Sequence, residues 1–95
     1  MELPDKVRVM GVDYKILRLE HVICDSQLYT GVLDAAKGEI QIIESLSNDR
    51  AWITLLHEVI HAIDHNDNLE DEMVENLAWG LYQVFTDNGW FREGG

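Results

Sequence analysis

The feature that most constrains the fold is a change in hydrophobic period near residue 45 of this 95-residue chain. Before that point, apolar and polar residues alternate in short runs, a pattern typical of strands that bury one face. Beyond it, apolar residues recur every three or four positions in two long segments, as amphipathic helices require. Strands followed by helices indicate an α+β fold, and the length suits a single domain spanning residues 1–95.

Four strands and two helices are expected. The strands cover residues 7–10, 14–20, 28–33 and 39–43, and residues 34–38 form a hairpin loop between the last two. The alternation slips by one residue between Ile16 and Leu17, which suggests a bulge. The helices cover about 49–65 and 69–86, with Ser47 or Asn48 as the first N-cap. We therefore expect a small antiparallel or mixed sheet of three to four strands, followed by two helices.

The charge and the cysteine count exclude several classes of function. Eighteen acidic residues face seven basic ones, for a net charge of −11, which argues against a nucleic-acid partner and against an anionic membrane surface. Cys24 is the only cysteine, so no internal disulfide forms, and a reducing cytoplasmic location is expected. No segment resembles a signal peptide or reaches the ~18 apolar residues of a membrane span.

A histidine pair on the first helix carries the strongest chemical signal, in the segment His57-Glu58-Val59-Ile60-His61. At about 100° per residue, His61 lies about 40° from His57, so both imidazoles can converge on one zinc ion. Glu58 lies about 100° from His57, where it reaches a water on the metal without being a ligand. The apolar residues of this helix take the opposite side: Trp52, Ile53, Leu56, Val59, Ile60 and Ile63.

The third ligand is expected on the second helix, because catalytic zinc usually takes three protein ligands and leaves one position open. The apolar stripe of that helix is centred near Val74 and comprises Val74, Leu77, Ala78, Leu81 and Phe85. Relative to Val74, Asp71 lies at about 60°, Glu75 at about 100° and Glu72 at about 160°. Glu75 borders the buried face and is the predicted third ligand, Asp71 is the alternative, and Glu72 points to solvent.

Three other residues near the helix break are considered for the metal site. Asp67 lies six residues after His61, the ligand spacing of a different zincin class, but that class has a glycine where this chain has Asp64. His65 is interpreted as an exposed helix end. Asp64 either orients a ligand histidine or is a solvated charge.

With His57, Glu58, His61 and Glu75 in this order, the sequence resembles the gluzincin metallopeptidases. Over residues 28–88 it is similar to their compact prokaryotic and phage-type members, the ImmA/IrrE-like zinc-peptidase domains. The resemblance implies a minimal zincin-like fold in which residues 28–33 form an edge strand that binds an extended peptide or protein substrate. It also calls for a group that stabilises the transition-state oxyanion, for which Tyr29 and Tyr82 are weak candidates.

The sequence therefore predicts a zinc-dependent metallohydrolase, most simply a small metallopeptidase with Glu58 as general base. One alternative is a catalytically silent zinc-binding regulatory or interaction module. A second is a helical-hairpin interaction protein that binds no metal. Cys24 is either a small buried apolar residue or an occupant of the open zinc position in a latent form.

Overall fold

The computed structural model describes residues 2–91. Six strands precede two helices: β1 (Lys6–Val9), β2 (Val12–Leu19), β3 (Val22–Cys24), β4 (Gln27–Tyr29), β5 (Gly31–Asp34), β6 (Glu39–Ile43), α1 (Asn48–Ile63) and α2 (Asp71–Asp87). The predicted α+β class, with strands first and helices second, is confirmed. Within residues 2–91, no helix combines the length and apolar character needed to cross a bilayer.

The main sheet is mixed and has the strand order β1-β2-β6-β5. Strands β2 and β6 run parallel, whereas β1 pairs with β2 and β5 pairs with β6 in antiparallel fashion. Strand β5 is therefore an edge strand. Strands β3 and β4 form a separate two-stranded hairpin.

The expected strand at residues 28–33 is wrong as a single element, because the chain changes partner at Thr30. Leu28 and Tyr29 belong to β4 and pair with β3, in a hairpin that the alternation pattern did not predict. Its turn residues, Asp25 and Ser26, have φ of 51° and 66°. Only residues 31–33 of the predicted segment lie on the edge of the main sheet.

The bulge expected between Ile16 and Leu17 is also absent from the register. Pairing of β2 with β6 runs without interruption from Lys15↔Glu39 to Leu19↔Ile43. Ile16 is buried, whereas Leu17 and Leu19 are half-buried on the other face of the strand. The slip in alternation therefore reflects apolar residues on both faces of β2.

Helix α1 lies between the sheet and α2 and is buried on two sides. Ala51 and Leu55 pack against the sheet, in a cluster completed by Val9, Tyr14, Ile16, Ile40 and Ile42. Ile53 and Ile60 pack against Val74, Ala78 and Tyr82 of α2. The single apolar stripe expected for α1 is therefore wrong, and Ile63, which was assigned to it, is 50% exposed.

Helix α2 packs mainly on α1, through a face rotated from the expected one. Leu77 and Leu81 are 47% and 38% exposed, whereas Tyr82 is 8% exposed. The buried residues Val74, Ala78 and Tyr82 are centred about 40° from the predicted stripe. This rotation turns the side of α2 that carries Asp71 toward α1.

Gly31 allows β5 to approach α1 closely. A Cβ at Gly31 would lie 2.4 Å from Thr54 Cγ2 and 3.3 Å from the Gln41 carbonyl oxygen. Because Thr54 is stiff in a helix and the Gln41 oxygen is backbone, we expect Gly31→Ala to destabilise the fold by about 1–3 kcal/mol. Chemical denaturation measures this change.

Gly80 and Thr54 supply the matched controls for that experiment. A Cβ at Gly80 meets nothing within 4 Å, so Gly80→Ala in α2 should stabilise the protein by about 0.5–1 kcal/mol. Thr54→Ser removes the clashing methyl group and should recover part of the stability lost in Gly31→Ala. Equal stability of wild type and Gly31→Ala would show that β5 does not need this close approach.

Candidate metal centre

The two histidines of α1 meet at their Nε2 atoms. Ser47 accepts a hydrogen bond from the Arg50 amide at 3.3 Å and starts the helix, which sets the register that follows. The Nε2 atoms of His57 and His61 are 3.1 Å apart, and the side chains are 20% and 22% exposed. Two ligands held at ~2.0–2.1 Å in tetrahedral geometry are separated by about 3.3 Å, so this pair is spaced for one zinc ion.

Asp71 is the residue of α2 that joins the histidine pair. Its Oδ1 lies 3.3 Å from His61 Nε2. One ligand atom from each of His57, His61 and Asp71 lies within 4.8 Å of the others, the one such group of three among residues 2–91. The Asp71 side chain is 88% exposed, so the group opens to solvent on that side.

Glu75, the third ligand predicted from the sequence, contacts the other nitrogen of His57. Glu75 Oε1 lies 3.3 Å from His57 Nδ1, whereas His57 Nε2 faces His61. A proton on Nδ1 is then donated to the Glu75 carboxylate, which fixes the tautomer and leaves Nε2 free for a metal. Glu75 therefore has the geometry of a supporting residue, and Asp71 that of a ligand.

Asp64 stabilises the turn between α1 and α2, and this turn precedes Asp71. Its carboxylate accepts hydrogen bonds from the amides of Leu69 at 2.8 Å and Asn68 at 3.0 Å. These bonds, led by that from Leu69, lower the pKa of Asp64. Asp64, for which a contact with a ligand histidine was one of two predictions, thus organises the turn between α1 and α2. Asp67 lies in that turn, outside the group of three.

Glu58 is a buried carboxyl group beside the histidines. It is 7% exposed and accepts a hydrogen bond from the Leu33 amide of β5. Burial, with smaller contributions from the charges of Asp71 and Glu75, raises its pKa from 4.5 to about 7, against the lowering effect of Leu33. A carboxyl group with a pKa near neutrality is suited both to accept and to donate a proton.

Two cavities meet at the centre, and both are lined by Tyr29, Gly31, His57 and Glu58. The larger, about 540 Å³, extends along the carboxyl end of β5 and past the end of α1. The smaller, about 210 Å³, extends past Thr30 toward the start of α1, where Arg50, Ile53 and Thr54 line it. Arg50 was missed in the sequence, although its position seven residues before His57 places it about 20° from that histidine on the wheel.

The remaining candidate side chains already have partners. The Tyr82 hydroxyl donates to the Asp49 carboxylate, and burial is the largest cause that raises its pKa to about 12. Tyr29 lines both cavities, but its hydroxyl donates to Gln27 Oε1 at 3.1 Å. The free thiol of Cys24 lines the larger cavity and points its weak donor to Asp25.

The donor set fits a zinc ion. Two imidazole nitrogens and one carboxylate oxygen form a known three-residue ligand set for catalytic zinc, which leaves a coordination position open. The second carboxylate, Glu75, supports one histidine, and the buried Glu58 lies beside the group. No family model, curated protein sequence or solved structure matches the chain.

Proposed function

We propose that this chain is a zinc-dependent metallopeptidase in which His57, His61 and Asp71 hold the metal and Glu58 is the general base. The observation that supports the proposal best is the convergence of three ligand atoms beside a buried carboxyl group with a pKa of about 7. In this proposal Glu75 positions His57. The free thiol of Cys24 suits a reducing compartment, and we propose the cytoplasm.

Glu58 performs the proton transfers of the proposed hydrolysis. Zinc, when bound, supplies positive charge that polarises the scissile carbonyl and acidifies water. Glu58 removes a proton from the attacking water as its oxygen bonds to the carbonyl carbon. As the C–N bond breaks, Glu58 donates that proton to the leaving nitrogen, so one water is consumed for each bond cleaved.

Strand β5 supplies the edge for an extended substrate. The Thr30 carbonyl accepts from the Ile43 amide at 2.9 Å, so the antiparallel alternation points the backbone groups of Gly31 and Leu33 away from β6. A peptide adds to these groups as an antiparallel strand. Glu58 must release the Leu33 amide as the peptide docks, which frees its carboxylate for water.

A zinc-binding regulatory module without turnover is the second candidate. The observation that favours it is that the hydroxyls of the two tyrosines considered for the oxyanion are engaged, Tyr29 with Gln27 and Tyr82 with Asp49. Neither is free to donate to an oxyanion in the described arrangement. This candidate keeps the metal and does not use Glu58 as a base.

The first test is zinc content. We expect about one zinc per chain by elemental analysis of protein reconstituted with zinc, and large losses in His57→Ala and His61→Ala. His65→Ala is the matched control and should keep its zinc. Full zinc occupancy in both histidine variants would show that His57 and His61 do not form the metal site.

The second test separates the two candidates. The zinc-loaded protein is incubated with a mixture of peptides of random sequence, and new termini are identified by mass spectrometry. Cleavage that follows the zinc content supports the peptidase. Firmly bound zinc without cleavage of any peptide favours the regulatory module.

A further inference from the structure

The two cavities differ in charge, and this difference bears on which peptides fit. Among residues 2–91, the larger cavity is lined by Asp64, Asp67 and Asp71 and by no lysine or arginine. The smaller cavity is lined by Arg50, the only lysine or arginine in the described part of the chain that lines either of them. A substrate that spans both cavities therefore meets negative charge at one end and an arginine at the other.

The direction of the bound peptide decides which of its ends meets Arg50. A strand antiparallel to β5 places the residues before the scissile bond beside the carboxyl end of β5, along the larger cavity. The residues after the scissile bond then lie beside Thr30 and Gly31, along the smaller cavity. Arg50 therefore faces the part of the substrate that follows the bond to be cleaved.

Arg50 is held in place but keeps its hydrogen-bonding capacity. Its guanidinium lies 5.2 Å from the centre of the Trp79 ring, a cation–π contact that fixes the side chain and leaves its N–H groups free to bind an anion. Two acids line the same cavity and both have other partners: Glu75 contacts His57 Nδ1, and Glu58 accepts from the Leu33 amide. In a chain of net charge −11, a carboxylate is otherwise repelled, so this arginine gives one local place where a negative group is favoured.

We propose that Arg50 is a specificity residue that binds a carboxylate of the substrate within the first three residues after the scissile bond. The inference rests on the proposed peptidase function. Arg50 lies seven positions before His57 on α1, a rise of about 10 Å, which equals about three residues of an extended peptide. The carboxylate belongs either to an acidic side chain or to the carboxyl terminus of a short substrate.

The test compares peptides that differ only in this carboxylate. A peptide cleaved by the zinc-loaded protein is made with Glu or Gln at each of the three positions, with an amidated end, and as a free acid ending at each position. We expect one carboxylate position to raise kcat/KM about five- to tenfold over its neutral counterpart. If a Glu peptide has the higher kcat/KM, the carboxylate is that of a side chain; if a free-acid peptide has it, the carboxylate is that of the carboxyl terminus. Glu placed before the scissile bond should lower the rate.

Variants and a binding measurement complete the test. Arg50→Gln should remove the preference, so that the Glu and Gln peptides are cleaved at equal rates, and Arg50→Glu should favour Lys at that position. Arg8→Gln, the same substitution on the opposite edge strand, should keep the preference. Calorimetric titration of the zinc-loaded Glu58→Gln protein with the same peptides should give the same five- to tenfold difference in Kd.

The outcomes separate this inference from the proposed function. Cleavage or binding that is equal for the Glu, Gln and free-acid peptides overturns the role of Arg50 and leaves the peptidase intact. A preference that persists in Arg50→Gln also overturns it. Absence of cleavage in every peptide, with equal affinities in calorimetry, overturns both.

Discussion

Glu58→Gln is expected to abolish most peptide cleavage while leaving zinc content unchanged. Glutamine keeps the size of the side chain and lacks the base, and positioned proton transfer contributes about 10²–10⁴-fold to a rate. The measurement is kcat/KM on a cleaved peptide, with zinc measured in the same sample. Glu20→Gln, at an exposed site, is the control and should keep full activity. Unchanged cleavage in Glu58→Gln would exclude Glu58 as the base and would point to a contaminating protease.

The same variant should be more stable than the wild type when both are metal-free. The folded-state pKa of Glu58 is raised from 4.5 to about 7, so the folded state disfavours the ionised carboxyl. Below pH 4.5 the carboxyl is protonated in both states and this difference is absent. Stability is lost as the pH rises from 4.5 to about 7, and the loss is on the order of 3 kcal/mol above that range. Denaturation of both proteins across this range should show the gap opening with pH.

Asp71→Asn is expected to lower zinc affinity more than Glu75→Gln does. Structural zinc contributes about 10–16 kcal/mol in zinc-finger peptides, which hold it with four ligands, so one ligand corresponds to about 2.5–4 kcal/mol, or about 10²–10³-fold in Kd. A residue that supports a ligand histidine typically contributes about 10–100-fold. Competition with a zinc chelator measures both dissociation constants.

Glu72→Gln is the control for this pair, since Glu72 is an exposed acid on the same helix turn. It should bind zinc like the wild type. A larger loss in Glu75→Gln than in Asp71→Asn would restore the ligand set expected from the sequence. A loss of zinc affinity confined to Asp67→Ala would identify Asp67, in the turn between the helices, as the third ligand.

The elements that carry strong local signals were predictable from the sequence. The helix that holds His57 and His61 follows from a clear period of 3.6 and from the Ser47 cap, and the histidines meet because their spacing is one turn. Strand β6 and the loop before it were predicted from the apolar residues of 39–43 and from Gly38 at the end of the loop. The parallel pairing of β2 with β6 has no local signal, because a register depends on tertiary contacts.

Which acidic residue of α2 lies beside the histidine pair could not be predicted from the sequence. The helical wheel groups residues by apolarity, so the predicted stripe included Leu77 and Leu81 and did not include Tyr82. Tyr82 is buried instead, because its hydroxyl donates to Asp49 at the start of α1. That one hydrogen bond accompanies a rotation of the buried face by about 40°, which brings Asp71 to about 20° and Glu75 to about 60° from the centre of that face. The apolar pattern of α2 alone does not show which residue of α1 orients the helix.

Helix α2 packs mainly on α1, so its attachment to the main sheet is largely indirect. The proposed ligands come from both helices, so an ion in the centre would act as a cross-link between two cooperative folding units. Local opening of α2 would then require release of the metal, and its free energy would rise with zinc concentration. Amide hydrogen exchange would show this as protection of α2 that depends on zinc, while the exchange of β2 and β6 stays near the global limit.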